Sequence, residues 1–262
     1  MLPYWKSVII IVALLFVQAW CDLSLPAYTS KIIDVGIQSS GVEHVVPEKL
    51  TEEEFETAEF IMTEEEEKLW ESSYRKDGEL YSLIVTEKDE LEMLDEKLAV
   101  PLIMNYQMSN MEESAVKQLV AAQSGADEKT LEKLSIEEIG AMLGVKLTSF
   151  QQEREDDNGK SVIVNCTDIR PVFENMLSKG MLEKDTILSM RDSMEETIDT
   201  MGTSLVKSMG VAYAVSCDKA AGLDVEKIQK SYLLTAGAKM VGMALIIGIV
   251  TVFVGFFASR VG

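Results

Sequence analysis

The chain has 262 residues, of which 47% are hydrophobic, and its formal net charge at pH 7 is −20. Every acidic residue except Asp22 and Asp34 lies between residues 41 and 230, so the negative charge belongs to the middle of the chain. Binding to nucleic-acid phosphates requires patches of Lys and Arg, and this composition therefore excludes a nucleic-acid partner of the usual kind. The middle segment is also too rich in aliphatic and aromatic residues for a disordered acidic tail, and we expect it to fold.

The N-terminal end is apolar. Tyr4 to Leu25 reads YWKSVIIIVALLFVQAWCDLSL, and no charged residue lies between Ser7 and Cys21. A helix of this length would measure about 33 Å, which is close to the hydrocarbon thickness of a bilayer, and aromatic residues stand near both of its ends. The pattern predicts a first transmembrane helix.

Two other interpretations of this end involve processing of the chain. Val17-Gln18-Ala19 resembles the small-residue cleavage site of a signal peptide, with an apolar stretch before it. A lipid anchor at Cys21 is disfavoured because bulky Trp20 precedes the cysteine. Neither interpretation accounts for the second apolar segment near the C-terminus.

The acidic middle carries repeated signals for helix starts, each a Ser or Thr with an acidic residue three positions later. They predict four short helices, beginning at Thr51/Glu54, Thr63/Glu66, Thr86/Asp89 and Ser135/Glu138. The runs Glu52 to Glu54 and Glu64 to Glu67 fit the first turns of such helices, where negative charge suits the helix dipole. The alternative is that these glutamate runs bind a cation weakly.

Two segments of the middle predict β-strands, Glu79 to Thr86 and Ser161 to Thr167. They are bounded by the turn sequences Asp77-Gly78 and Asp157-Asn158-Gly159. After Pro171 the pattern becomes helical again. A long helix is expected over residues 183–220, with one apolar stripe formed by Ile187, Met190, Met194, Ile198, Met201, Leu205, Met209 and Ala212. Packing is the ordinary use of such methionines, and copper or cofactor binding is a minor alternative.

The C-terminal end predicts a second span. Gly222 is expected to end one helix and Asp224 to cap the next, which would run from Val225 into the apolar segment. Met240 to Ser259 contains no charged residue, and small residues recur four positions apart, as in membrane helices that approach each other closely. The few positive charges near the two termini, Lys6 and Arg260, place both termini in the cytoplasm.

Searches for a chemical site find none. The closest approach to a phosphate-binding loop, GADEKT at residues 125–130, has Glu128 where the second glycine is required. The Asp156 to Gly159 stretch fails as a calcium loop and predicts a polar turn. His44 is the single histidine, expected at the surface without an acid-base partner, and Cys166 and Cys217 are able to pair or to stay free. We therefore assign no catalytic residue, no cofactor-binding residue and no metal ligand.

The end of the first span and its continuation carry a family resemblance. Leu25-Pro26, Ile32-Ile33-Asp34 and Gly36-Ile37 resemble the outer end of the first transmembrane helix of bacterial ATP-binding cassette (ABC) exporters. The likeness is closest to Firmicutes multidrug-type half-exporters with an enlarged extracellular insert, and it extends to residues 200–215, 222–240 and 254–262. In this setting Pro26 would bend the helix, the isoleucines would keep an apolar face, and Lys31 and Asp34 would face water.

The patterns along the chain together predict a membrane protein with two transmembrane α-helices flanking a mainly α, partly α+β extracellular domain. Its parts would be residues 1–38, the first transmembrane helix and its extension; 39–182, the acidic insert; 183–223, a long extracellular helix; and 224–262, the second transmembrane helix with its extension. Residues 39–235 would lie outside the bacterial plasma membrane.

The resemblance also implies a function. The chain would be the N-terminal permease portion of an exporter whose full-length form transports a substrate by hydrolysing ATP. Its partners would be the lipid bilayer and a second half-transporter subunit, with ATP and Mg²⁺ bound only by a nucleotide-binding domain outside these residues. A self-contained two-span membrane-anchored sensor or binding protein is the alternative from another class.

Overall fold

The computed structural model describes residues 5–124, 128–155, 160–199 and 203–261. They form two compact units, one made of Met1–Glu43 with Gly222–Gly262 and the other of His44–Ala221. The sequence predicts a mainly helical chain with small sheets, and this is confirmed. We call the first unit the helix pair and the second the inserted unit.

The helix pair consists of two long helices. α1 spans Trp5–Lys31, with Pro26 inside it, and continues as a π-helix over Ile32–Gln38. α11 spans Val225–Val261 and packs along α1. The predicted helix start is confirmed, because the Asp224 carboxylate accepts the backbone N–H of Lys227 at 3.0 Å.

Two glycines allow the helices of this pair to approach closely. Gly36 is buried, its carbonyl accepts the side-chain amide of Gln229 at 2.8 Å, and an added Cβ would lie 2.5 Å from Leu233 Cδ2. Gly41 has φ +83°, and a Cβ there would lie 2.8 Å from the Cα of Gln229. Lys31 and Asp34 are exposed, as predicted.

The inserted unit contains the remaining helices and all the described strands. Its helices are α2 (Glu52–Glu59), α3 (Glu64–Ser73), α4 (Lys88–Ser109), α5 (Glu113–Ser124), α6 (Glu128–Leu131), α7 (Ile136–Leu143), α8 (Arg170–Ser178), α9 (Lys184–Asp199) and α10 (Thr203–Ala220). Its strands are β1 (Lys49–Thr51), β2 (Tyr74–Asp77), β3 (Leu80–Leu83), β4 (Met111–Glu112), β5 (Ser149–Glu155) and β6 (Ser161–Thr167).

Three of the four predicted helix starts are confirmed. Thr51 caps α2, and Thr63 and Ser135 form capping boxes with Glu66 and Glu138. The glutamate runs occupy the first turns of α2 and α3 as expected. The prediction at Thr86 is wrong, because α4 begins one residue later and its N-cap, Glu87, makes no capping hydrogen bond.

The strands form two antiparallel sheets. β1 and β2 flank β3 in the first, where Leu50 pairs with Tyr81, and β4 and β5 flank β6 in the second, where Phe150 pairs with Cys166. The predicted strand over Ser161–Thr167 is confirmed, and the one over residues 79–86 is present but shortened to β3. The polar turn predicted over residues 156–159 lies outside the described residues.

Two packed regions hold the inserted unit together. A cluster of aromatic rings covers the first sheet, where Phe55 stacks on Tyr81 with ring centroids 3.9 Å apart and on Trp70 at 5.5 Å. The second region is an aliphatic core around α4 and α7, formed by Ile61, Met104, Met108, Val116, Ile136, Ile139, Leu147, Ile169 and Ile187. Burial of these side chains is the main favourable contribution to folding.

The apolar stripe predicted for residues 183–220 is wrong at Met190 of α9, which is 46% exposed, and in its second half. In α9, Ile187 and Ile198 are buried, but in α10 Leu205 is 50% exposed. The buried side of α10 is formed instead by Val211, Tyr213, Ala214 and Cys217. The predicted single helix is described as α9 and α10, and the stripe residue Met201 lies outside the described residues.

The packing of α10 depends on a close approach at Gly210. A Cβ on this residue would lie 2.6 Å from Val45 Cγ1, 2.9 Å from Val45 Cβ and 3.8 Å from Ile103. Since a β-branched valine has little freedom to rotate away, the backbone itself would have to shift. The glycine therefore fixes which side of α10 faces the core.

We predict that Gly210→Ala destabilises the inserted unit by about 1–3 kcal/mol through overpacking, although alanine favours a helix by up to about 1 kcal/mol. Urea unfolding of the whole chain in detergent, followed through Trp70 after replacing Trp5 and Trp20 by Phe, measures the change. Val45→Ala should make room for the new methyl, so the double variant should lose less than the two single variants together. Strict additivity would contradict the proposed clash.

Candidate functional site

A pocket of about 290 Å³ lies within the inserted unit. Side chains from α2, α4, β5, α8 and α10 line it, among them Glu54, Tyr106, Phe150, Asp168, Arg170, Tyr213, Ser216 and Cys217. These residues come from five separate stretches of the sequence. We call this cavity the Arg170 pocket.

The guanidinium of Arg170 lies in the pocket wall, surrounded by hydrogen-bond acceptors. Its Nη1 donates to Glu54 Oε1 at 2.7 Å and to Asn105 Oδ1 at 3.1 Å, and its Nη2 donates to Asp168 Oδ2 at 2.7 Å. Its Nε donates to both oxygens of Asp168 at 3.0 Å. Burial alone would lower the pKa of Arg170, but the hydrogen bonds and charges of Asp168 and Glu54 outweigh it and raise that pKa.

The Glu54 carboxylate is held from a second side. The side-chain amide of Asn105 donates to Glu54 Oε1 at 3.0 Å, and the Asn105 side chain is fully buried on α4. Asp168 in turn accepts the backbone N–H of Arg170 at 2.9 Å. Three elements are thus tied to one guanidinium by charge-assisted hydrogen bonds, which are stronger than neutral ones.

The charge of this wall is negative overall. Two carboxylates, Glu54 and Asp168, face a single guanidinium that already donates to both. Glu174 lies close by, where burial, together with the charges of Asp168 and Glu53, raises its pKa despite the opposing effect of Arg170. The pocket therefore favours a cation over an anion.

Two groups of α10 face the pocket from inside the fold. Tyr213 is 1% exposed, and its hydroxyl has no nitrogen or oxygen partner within the described residues but interacts with the Cys217 thiol. Cys217 lies beside it and is also buried. Burial raises the pKa of both groups well above the usual values, so the phenol and the thiol stay protonated at neutral pH.

Asp218 is a buried carboxylate of α10, next to Cys217 in the sequence. Its Oδ1 accepts the backbone N–H of Lys49 at 2.8 Å, whereas its Oδ2 is buried without a hydrogen-bond partner among the described residues. Burial raises the pKa of Asp218 to about 7, the charge of Glu48 acts in the same direction, and backbone hydrogen bonds oppose both. A single buried acid thus changes its protonation near neutral pH.

The prediction for His44 is wrong. Its side chain is 22% exposed, and its Nδ1 lies 2.9 Å from Asp95 Oδ2, which also accepts Lys207 Nζ at 2.7 Å. Burial alone would raise the pKa of Asp95, but hydrogen bonds to His44, Lys207 and the N–H of Val45 together lower it. The pairing joins residues 51 positions apart, so no local pattern around His44 reveals it.

Cys166 and Cys217 are free thiols, and so is Cys21. The Cys166 thiol donates to the side-chain oxygen of Gln152 at 3.6 Å, and burial raises its pKa. Among the described residues, no group of three or more His, Cys, Asp or Glu side chains is arranged to hold a metal ion.

A wider groove of about 680 Å³ adjoins the Arg170 pocket. It lies between α4, β5 and α10, and Tyr106 and Asn110 line both cavities. The amide of Gln152 donates to the Tyr106 hydroxyl at 3.2 Å and so orients the ring that separates them. The polar and ionic groups are denser in the smaller cavity, which is therefore the better candidate site.

Comparisons with known proteins give no further guide to the site. No family model, no curated protein and no solved structure matches the chain.

We predict that Asp218→Asn stabilises the inserted unit increasingly as pH rises. Asp218 has a pKa of about 7 when folded and about 3.9 when unfolded. Below pH ~4 it is protonated in both states and does not affect the stability of the wild type. As the pH rises toward ~7 it ionises first in the unfolded state, so the wild type loses stability. The variant removes this loss, on the order of 2–4 kcal/mol above pH ~7. Urea unfolding of both proteins at several pH values measures the difference.

A matched control for this prediction is Asp77→Asn. Asp77 is exposed and precedes Gly78, and Asn-Gly forms the same kind of turn. The stability of the Asp77→Asn variant relative to the wild type should change little with pH. A pH-independent difference for Asp218→Asn would contradict the role given to its burial.

We predict that Arg170→Met destabilises the inserted unit by about 3–5 kcal/mol, because it leaves the carboxylates of Glu54 and Asp168 without their cation. Arg75→Met, at an exposed position of β2, should change stability by less than about 0.5 kcal/mol. Adding Glu54→Gln to Arg170→Met should recover part of the loss. Equal effects of the two arginine substitutions would contradict the network.

Proposed function

We propose that the chain is a membrane-anchored protein whose α1 and α11 both cross a lipid bilayer. One observation carries the proposal: within the described residues two helical segments, Ser7–Gln38 and Val225–Arg260, are long and apolar enough to do so. Only 6% and 11% of their most apolar windows are buried, whereas the core helix of a soluble protein would be mostly buried. Exposed Phe16, Leu245 and Val252 suit contact with lipid.

We further propose that these spans belong to the permease of an ABC-type exporter. The support is the resemblance of residues 25–37 and 222–240, together with the part these stretches play in the helix pair. The Gly36 and Gln229 that bond to each other both come from them, as does the Leu233 that packs on Gly36. In the proposal this contact lies where the two helices extend beyond the lipid, and it holds their outer ends together.

In this proposal the full-length protein acts in a bacterial plasma membrane. Both termini of the chain would face the cytoplasm, and the inserted unit would lie outside the cell. A second half-transporter subunit would complete the transport path, since such paths are built between several helices. ATP and Mg²⁺ would act at a nucleotide-binding domain beyond these residues.

A second candidate is a self-contained two-span protein whose inserted unit senses or binds a ligand. The Arg170 pocket is the observation that favours it, because buried polar groups converge on a cavity there. Both candidates share the two spans and differ in whether the chain works as part of a transporter.

We predict that Ser72→Cys reacts with a membrane-impermeant maleimide in intact cells. Ser72 is exposed on α3, and Cys21, Cys166 and Cys217 are buried, so the background should be low. Ser259→Cys, exposed near the end of α11, should react only after permeabilisation. Recovery of the chain in the soluble fraction would contradict membrane anchoring, and reaction of Ser259→Cys alone in intact cells would reverse the proposed orientation.

Reading the coding DNA beyond codon 262 separates the two candidates. The exporter proposal predicts further apolar spans followed by a phosphate-binding loop in the continuing frame or a neighbouring one. Their absence from all frames would overturn it in favour of the two-span binding protein.

A further inference from the structure

We propose that the Arg170 pocket binds a small organic cation, an ammonium compound that carries an apolar group. The inference goes beyond the proposed function and depends only on the inserted unit. It therefore stands or falls separately from the membrane anchoring and from the exporter assignment. Four observations on the pocket support it.

The first observation is the net negative charge of the pocket wall. Arg170 Nε, Nη1 and Nη2 all donate to Glu54, Asp168 or Asn105, so the guanidinium is occupied and poorly placed to recruit an anion. The two carboxylates retain one negative charge in excess of it. The Asp168 side chain is 35% exposed and Glu54 is 21% exposed, so a ligand can reach both.

The second observation is the aromatic content of the lining. Tyr106, Phe150 and Tyr213 contribute rings to a cavity of which the other residues are mainly polar. Ammonium groups are attracted to the faces of aromatic rings as well as to carboxylates. An apolar group on the same ligand would pack against the same rings. The lining therefore suits both the ammonium group and the apolar group of the proposed compound.

The third observation is the Tyr213 hydroxyl. It is buried and lines the cavity, it has no nitrogen or oxygen partner among the described residues, and the neighbouring Cys217 thiol is only a weak hydrogen-bond partner. Buried hydroxyls nearly always have a partner in folded proteins. An ammonium group in the pocket would donate to this oxygen, while the O–H would keep the Cys217 sulfur as its acceptor.

The fourth observation is size. A cavity of about 290 Å³ is at the lower end of the range for small-molecule sites, which is about 300–1,000 Å³. This volume suits a compound of metabolite size. Ser216, on the exposed side of α10, lies at the rim through which such a compound would enter.

The test uses three probes that share a phenyl group and differ in charge. Phenethylamine is the cation, 2-phenylethanol is neutral and 3-phenylpropionate is the anion. Isothermal titration of the whole chain in a non-ionic detergent, at about 150 mM salt to screen distant charges, measures each Kd. We expect phenethylamine to bind at least tenfold tighter than 2-phenylethanol, and 3-phenylpropionate to bind most weakly.

Substitutions locate the binding in the pocket. Ser216→Leu should fill the entrance and weaken phenethylamine binding at least tenfold, whereas Ser72→Leu, at an exposed position of α3 away from the pocket, should leave it unchanged. Both variants keep the net charge of the chain, so non-specific attraction of a cation and partition into the micelle are the same in each. Equal Kd values for the two variants would overturn the proposed location.

The Kd of phenethylamine and the urea midpoint of a Tyr213 variant test the role of the Tyr213 hydroxyl. Tyr213→Phe should weaken phenethylamine binding about two- to tenfold, as expected for the loss of one hydrogen bond, while the urea midpoint stays the same or rises. Tyr81→Phe, outside the pocket, should leave the Kd unchanged. Three results would overturn the proposal: no binding of phenethylamine up to about 10 mM, binding of 3-phenylpropionate as tight as that of phenethylamine, or a Tyr213→Phe variant that binds as well as the wild type.

Discussion

The need to neutralise one buried guanidinium shapes the inserted unit. Arg170 opens α8 with a side chain only 12% exposed, and an unpaired charge at that depth would cost several kcal/mol. Glu54 from α2, Asn105 from α4 and Asp168 from the segment before α8 supply the partners. Helices far apart in sequence are thereby held at fixed distances, and the cavity between them follows from the same arrangement. The excess of carboxylate over cation in its wall gives the pocket its chemical preference.

The two units satisfy the hydrophobic effect in opposite ways. The inserted unit hides its apolar side chains, with Trp70 and Leu98 fully buried. The helix pair leaves side chains such as Phe16 and Val252 more than two-thirds exposed, which is unfavourable in water and favourable in lipid. Almost all acidic residues lie in the inserted unit. In the proposed membrane-anchored protein, the division of charge along the chain would be a division between two solvents.

Local signals in the sequence predicted local structure well. The caps at Thr51 and Ser135 depend on residues three positions apart, and the strand over Ser161–Thr167 depends on its own composition, so both could be found without the fold. The bonds of Arg170 to Glu54 and Asn105 and the pairing of His44 with Asp95 could not, because these partners lie 51 to 116 positions apart. The stripe along α10 failed for a similar reason: the close contact at Gly210 selects the buried face, whatever the spacing of methionines suggests.

The hydrogen bond from the N–H of Lys49 to Asp218 joins the beginning of the inserted unit to its end. β1 and α10, which carry these residues, pack against each other, so the chain enters and leaves this unit at neighbouring points. A module of that kind can be accepted within a short connection of another protein without forcing the host's flanking segments apart. Its acquisition, enlargement or loss during evolution would then need no redesign of the host, and the same property makes the unit suitable for transfer into an unrelated scaffold.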